Sequence, residues 1–308
     1  MGITELPKIK TPTIVTIGTF DGVHIGHISI FNQIKNIKDN FSQKSEILAL
    51  TFKKSPKQII SPQNEYTLIC PLEERLKLIK NQGVDHVIPI DFDKKLRYQT
   101  ASDFLYQLKK NINIQAFVIG SGTSIGNDQI RLEKDLRKIT NRLKIELFLL
   151  PNKTFNHEKI SSSQIKKFIK NGEIENIKRS LGRNFSLTGK IIKGKQRGKT
   201  LGYPTANLEL HVDQCVPKDG IYSTQSFIHN KKKKKKSVTS VGKNPTFESE
   251  NVPTMIETHI LDFNNEIYGE NLTIEFLSFL RPQIKYQDIT SLKNQMEIDV
   301  SNVKNQIP

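Results

Sequence analysis

Tryptophan is absent from this chain of 308 residues, and there are only three methionines and two cysteines. Two thiols, Cys70 and Cys215, neither build a disulfide framework nor supply a metal site, and they fit a reducing compartment. Long apolar runs are missing as well. No stretch approaches the about 20 apolar residues needed to span a bilayer, so no membrane role is expected. The opening MGITELPKIKTPT has no basic segment followed by an apolar one, which argues against a secretory leader and makes the cytoplasm the expected location. Acidic residues are scarce relative to basic ones, 31 against 47, and the formal net charge is +16. Such a balance raises the question of nucleic acid, which basic proteins bind by releasing counterions. The positive charge is not gathered on one helix and carries no interleaved aromatics, so a nucleic-acid partner is not expected. A general positive field attracts anionic nucleotides equally well.

What is present divides the chain in two, as its length alone suggests. From Thr13 to Leu150, short apolar runs alternate with helical patterns. Ile14–Gly18, Ile47–Phe52, Val87–Ile90, Phe117–Ile119 and Glu146–Leu150 read as strands, and His27–Ile37 and Leu72–Gln82 as helices, the latter with Leu72, Leu76 and Ile79 on one side. Continuous apolar strands alternating with helices indicate a parallel sheet buried on both faces, with ligands at the carboxyl ends of the strands. Two further helices are expected, one opening at Ser161–Ser163 with Ile165, Phe168 and Ile169, the other over Ile174–Leu181 and stopped by Gly182. Beyond a boundary near Arg183 the pattern changes. Phe185–Ile192, Gly220–His229, Lys235–Gly242, Thr254–Asp262 and Leu272–Leu280 are strand-like, and their spacing suggests a small antiparallel barrel. A terminal helix carries Ile289, Leu292, Met296 and Val300. The six lysines Lys231–Lys236 repel one another and are expected at a hairpin tip.

Two segments carry chemistry. Gly18-Thr19-Phe20-Asp21-Gly22-Val23-His24-Ile25-Gly26-His27 follows a strand and opens a helix. Gly18, Gly22 and Gly26 allow close approach of backbone to a phosphate, and the helix start adds oriented N–H groups. His24 and His27, one turn apart, are placed to donate hydrogen bonds to a transferring phosphoryl group. Read alone, the segment is also a glycine turn with incidental histidines. The second segment, Gly194 to Leu208 (GKQRGKTLGYPTANL), combines glycines with cations in a loop able to wrap phosphates. Thr205 and Asn207, two apart on an extended stretch, share a side and offer the hard oxygens that Mg2+ prefers. Read alone, it is equally a glycine-rich surface loop.

Thr16–His27 resembles the nucleotide-binding signature of the nucleotidyltransferase superfamily. In its full GTFDGVHxGH form it is similar to the N-terminal module of bacterial bifunctional riboflavin kinase/FAD synthetases. The likeness continues through Leu50-Thr51-Phe52, Leu72-Glu73-Glu74-Arg75-Leu76, Phe117-Val118-Ile119-Gly120 and Ile160-Ser161-Ser162. The Gly194 to Leu208 segment resembles the riboflavin-kinase signature with its PTAN core, and Val216–Tyr222, Val241–Phe247, Ile256–Phe263 and Leu280-Arg281-Pro282 follow in the family's order. The resemblance covers nearly the whole chain. It implies an N-terminal doubly wound parallel-sheet nucleotidyltransferase domain over 1–183, adenylylating FMN to FAD. Over 184–308 it implies a small antiparallel β-barrel with a C-terminal helix, phosphorylating riboflavin to FMN. The implied small-molecule substrates are riboflavin, FMN and ATP, with Mg2+ as cofactor; no oligomeric state is implied.

Residue by residue, the resemblance makes Glu257 the base for the ribityl 5′-hydroxyl and assigns His24 and His27 to adenylyl transfer. Nucleotide contacts fall to Gly18, Phe20, Asp21, Gly22, Gly26, Ser162 and Ser163 in one domain, and to Gly194, Lys195, Arg197, Gly198, Gly202 and Pro204 in the other. Asn244, Thr246 and Arg281 would contact flavin, and Thr205 and Asn207 the metal. His259 and Asp262 read as structural. Three positions depart from the family pattern. Ser55 stands where a histidine is usual, the Gly120–Gly126 loop lacks the acidic and aromatic residues, and Gln164 replaces a phosphate-binding arginine, with Lys166 or Lys167 nearby. A neutral amide does not replace a bidentate cationic fork. A kinase with a non-catalytic N-terminal domain is therefore a second reading, and a nucleotide- or RNA-holding protein without catalysis a third.

Overall fold

The computed structural model describes residues 2–61, 66–121, 123–130, 132–151, 154–155, 158–194, 198, 201–211, 213–228, 233–242 and 254–306. Lys195, Arg197, Asn244 and Thr246 lie outside these. The chain forms two compact units, Met1–Tyr66 with Pro71–Ser162, and Thr67–Cys70 with Ser163–Pro308.

In the first unit, β1 (Ile9–Gly18) leads into α1 (Ile25–Asp39), β2 (Glu46–Phe52) into α2 (Pro56–Ile60) and α3 (Leu72–Lys80), and β3 (His86–Ile90) into α4 (Lys94–Tyr98) and α5 (Ala101–Asn111). Next come β4 (Ile112–Gly120), α6 (Glu133–Arg142) and β5 (Glu146–Leu150), then a two-stranded ribbon of β6 (Thr154–Phe155) and β7 (Glu158–Lys159). All pairings in the five-stranded sheet are parallel, in the order β3-β2-β1-β4-β5. The alternating side-chain direction of a strand explains the apolar runs. Val15, Leu48, Leu50 and Phe117 bury against Phe104, Leu105 and Leu136 of α5 and α6. Their neighbours Ile14, Ile47, Ala49 and Val118 bury on the other face against Phe31, Ile34 and Ile79 of α1 and α3. Strand order reverses between β1 and β4, so their carboxyl ends, Gly18 and Gly120, border the crevice where such sheets bind ligands.

In the second unit, α7 (Ser162–Asn171) and α8 (Ile174–Leu181) precede the strands β8 (Phe185–Ile192), β9 (Ala206–Leu210), β10 (Gly220–Ile228), β11 (Lys235–Gly242), β12 (Met255–Ile260) and β13 (Asn271–Arg281), and α9 (Ile289–Asn305) ends it. Both α7 and α8, N-terminal to Arg183, group with the barrel beyond their first residue. The strands close into an antiparallel barrel in the order β10-β11-β12-β9-β8-β13. Its lumen is apolar along Phe185, Leu187, Ile274 and Phe276, all buried. Opposite runs a ladder of buried hydroxyls in which Thr224 meets Ser237 and Thr239, Ser226 meets Ser237, and Thr239 meets Thr258, at 2.7–2.8 Å. Each hydroxyl finds a partner, as burial requires.

One expectation needs correction. Lys235 and Lys236 are strand residues of β11, paired with Ser226 and Gln225, and not part of a hairpin tip. Lys234 lies just before the strand with Glu275 as its ion pair at 2.6 Å, and Lys231 and Lys232 are outside the described residues. Ile289 is 70% exposed, because the inner side of α9 begins one turn later and ends on buried Asp299 and Val303.

Candidate active sites

At the crevice of the first unit the turn after β1 is strained. Phe20, Gly22 and Val23 have φ of 49°, 76° and 39°, and left-handed non-glycine residues cost on the order of 1–3 kcal/mol each. The turn presents the start of the 15-residue helix α1, with His24 as N-cap and no side-chain cap of its own. The N–H groups of its first turn have no intrahelical acceptor and point toward an anion site. The His24 and His27 rings stack with centroids 3.7 Å apart and planes 19° from parallel, and Phe20 meets His27 edge-on at 5.2 Å. His27 is partly accessible, but its Nδ1 is buried without a hydrogen-bond partner. Burial first, then the charges of His24 and Arg75, hold its pKa well below the ordinary imidazole range. A methyl on Gly18 would meet the Phe20 ring at 3.2 Å, and one on Gly26 the His24 ring at 3.0 Å, so these glycines leave room for the rings. Asp21 is buried, and its carbonyl accepts a 2.9 Å hydrogen bond from Ser162 Oγ. Ser163 is exposed.

Arg75 is the residue here whose role the sequence reading passed over. It is completely buried, and its guanidinium donates to the carbonyls of Thr19 at 3.0 Å, Phe52 at 2.8 Å and Lys53 at 3.1 Å. It therefore fixes the ends of β1 and β2 to each other. A signal was available: Arg75 lies three residues after Leu72 and four before Ile79, on the inward side of α3, where a charge needs a reason.

Beside the turn lies a cavity of about 750 Å³ lined by Gly18, Thr19, Phe52, Ser55, Phe92, Tyr98 and Ser124 among others, but by neither histidine. This volume suits a drug-sized ligand. Two of the departures from the family pattern, Ser55 and the Gly120–Gly126 loop, line it and have structural roles there. Ser55 caps α2, its Oγ accepting from Lys57 N at 3.3 Å. The wall from Thr123 to Asn127 is fastened to the α4–α5 junction, where Asn127 donates to the carbonyls of Gln99 and Tyr98, both at 2.8 Å, and Asp128 accepts from Ala101 N at 3.0 Å. Gln164 lies in the first turn of α7.

On the barrel, strand register places Arg281, Ile221, Ser240, Glu257, Asn207 and Ile192 in one row across neighbouring strands. Cross-strand partners share a face, so Glu257 lies directly beside Asn207 on the outer face of the barrel. Asn207 is 6% exposed, and its Oδ1 is buried with no hydrogen-bond partner. Gly194 lies against it. A Cβ on Gly194 would stand 2.1 Å from Asn207 Nδ2, and one on Gly198 would stand 2.3 Å from the Tyr203 carbonyl and 3.3 Å from Thr205 Oγ1. No side chain fits at either position, so the backbone at Gly194 lies directly on Asn207 and that at Gly198 on Tyr203 and Thr205. Gly202 turns the chain with φ 87°, and Pro204 leads into β9. Thr205 also lines a cavity of about 310 Å³ with Ala206, Thr258, Phe263 and Tyr268. Arg281, expected at the flavin, is engaged within the protein. Its fork holds Asp299 of α9, with Nε–Oδ1 at 3.0 Å and Nη2–Oδ2 at 2.6 Å.

A family model described as FAD synthetase matches residues 6–164, and one described as riboflavin kinase matches residues 181–307. A bifunctional riboflavin kinase/FMN adenylyltransferase from Buchnera aphidicola subsp. Schizaphis graminum is 30% identical, over 98% of this chain and 96% of that protein. A protein of the same description from Listeria monocytogenes serovar 1/2a is 29% identical, over 94% of this chain and 91% of its own length. The fold also matches a crystal structure described as a macrolide-efflux protein from Streptococcus pneumoniae, at 29% identity, a TM-score of 0.89 and 99% coverage of this chain and 97% of that one. Among the described residues, no helix is long and apolar enough to cross a membrane. The chain belongs to the family of bifunctional riboflavin kinases/FMN adenylyltransferases.

Proposed function

We infer that this chain phosphorylates riboflavin to FMN with ATP and then adenylylates FMN to FAD. The observation that carries the kinase half is Glu257 standing directly beside Asn207, against which Gly194 packs. In that reaction the ribityl 5′-oxygen attacks the γ-phosphorus of ATP while Glu257 takes its proton, and the bond to the bridging oxygen breaks to release ADP. In the second reaction a phosphate oxygen of FMN attacks the α-phosphorus and pyrophosphate leaves. The N–H groups at the start of α1 and the His24–His27 pair bind and orient the triphosphate. His27 is held toward its neutral form, and a neutral imidazole still donates one hydrogen bond.

Thr205 and Asn207 would hold Mg2+ in the kinase site. The orphaned, buried Oδ1 of Asn207 beside a threonine hydroxyl is a hard-oxygen set suited to that ion. When bound, Mg2+ neutralises charge developing on the phosphates. A kinase-only chain is not favoured, since both family models match. Two buried cysteines without a disulfide fit a reducing compartment such as the cytoplasm.

Incubation with riboflavin, ATP and Mg2+, followed by chromatography of the flavins, should yield FMN and then FAD. Glu257→Gln should lower FMN formation on the order of 10²–10⁴-fold and leave conversion of supplied FMN to FAD unchanged. A wild-type chain that makes no FMN sinks the reading, and loss of both activities in a folded variant sinks the separation of sites.

A further inference from the structure

We propose that His259 is a positioning residue of the kinase site, holding the Thr205–Asn207 segment in place against the strand that carries Glu257. The inference rests on the kinase reading given above. The backbone pairing of β12 with β9 runs through Glu257↔Asn207 and stops at Thr258↔Ala206. Two residues before Ala206 stands Pro204, which has no N–H to donate to a ladder. At that point a side chain takes over. His259 Nδ1 lies 2.9 Å from the Pro204 carbonyl oxygen, a contact across 55 positions of sequence. A carbonyl only accepts, so Nδ1 carries the hydrogen and donates it. The imidazole is itself held by Tyr203, whose ring meets it edge-on at 5.4 Å and 79°.

Glu257 and His259 are two apart on one strand and share its outer face. The same short stretch of β12 therefore carries both the proposed base and the group that fastens the proposed metal ligands opposite it. Thr205 precedes the first paired residue of β9, so the ladder itself does not hold it, and Gly198 approaches it closely. A displacement of about 1 Å at such a site is enough to cost on the order of 10²-fold in rate. His259 touches no reacting atom. Its effect passes through Pro204.

Three variants separate the hydrogen bond from the ring. His259→Ala removes both, His259→Phe keeps an aromatic ring against Tyr203 without a donor, and His259→Asn keeps a donor, its Nδ2 near the position of Nδ1. The readouts are the Kd for Mg2+·ADP by calorimetry without riboflavin, the Kd for riboflavin by fluorescence quenching, kcat for FMN formation, and FAD formation from supplied FMN in the same preparation. Ala and Phe should each weaken Mg2+·ADP binding about tenfold, the loss expected of one hydrogen bond, and lower kcat by at least as much. Riboflavin binding and FAD formation should not change, and Asn should recover Mg2+·ADP binding to within about threefold of wild type. Wild-type nucleotide binding in Ala or Phe overturns the proposal, as does failure of Asn to recover it, or a matching loss of FAD formation. FMN formation by the wild-type chain reports on the kinase reading separately, so failure of the one is not mistaken for failure of the other.

Discussion

His27 sits where three influences push the same way. Its Nδ1 is buried, the His24 ring lies against it, and the buried Arg75 guanidinium adds its charge, so its pKa falls well below the usual value. The neutral form is therefore the one the fold stabilises, and a neutral imidazole still donates one hydrogen bond to a phosphate. A stability consequence follows from linkage. As pH falls, the unfolded chain takes up this proton near the ordinary value of about 6.5, while the folded chain resists until its depressed value. Stability from this residue is thus complete above about 6.5 and is lost as pH drops toward the folded pKa. Urea denaturation followed by circular dichroism at about pH 7.5 and about pH 5.5 should show the first unit weakening at the lower pH, and His27→Gln should weaken less. Equal slopes for variant and wild type would show that His27 is not the group responsible.

The terminal helix α9 is fastened at two places by groups that look ordinary in sequence. Arg281, at the end of β13, grips Asp299 bidentately, with the two side chains 16% and 5% exposed. Lys236 Nζ reaches the carbonyls of Lys304 at 2.8 Å and Gln306 at 2.6 Å, capping the helix end where cations are favoured. Asp299→Ala strands a largely buried guanidinium and should cost about 3–5 kcal/mol, read as lost hydrogen-exchange protection across α9. Replacing both partners together, Arg281→Met with Asp299→Leu, should recover most of that. If the double variant also keeps wild-type riboflavin affinity, Arg281 serves the helix alone. The same elements show what was legible beforehand. Strands with unbroken apolar runs, such as β2 and β4, announced themselves, because burial on both faces leaves few residue choices. Helices α5 and α6 did not, because their buried residues are diluted by lysines and asparagines on the outer face. The site motifs were legible as residues, but the Glu257–Asn207 adjacency, the Arg75 fork and the His259 clamp were not. Each depends on pairing across positions far apart in sequence, which no local pattern records.

For the whole molecule, the excess of 47 basic over 31 acidic residues is spread over both units, and most individual pairs, such as Lys38–Asp85 and Arg179–Glu175, are substantially exposed. Pairs of that kind contribute little to stability. Their collective effect is a positive field, and its range is set by salt, with a screening length of about 10 Å at 0.1 M. Two of the inferred substrates, ATP and FMN, are anions, and riboflavin is not. The field should therefore assist the first two and ignore the third. Raising NaCl from about 20 mM to about 200 mM at fixed free Mg2+ should raise KM for ATP in both reactions and KM for FMN in the second, while KM for riboflavin stays constant. A riboflavin KM that rises in parallel would mean that salt is loosening the barrel. Constancy of all three would mean that the charge is too evenly distributed to focus on either site, leaving nucleotide capture to the short-range groups proposed above: the start of α1 with its stacked histidines, and the segment around Gly194 and Asn207.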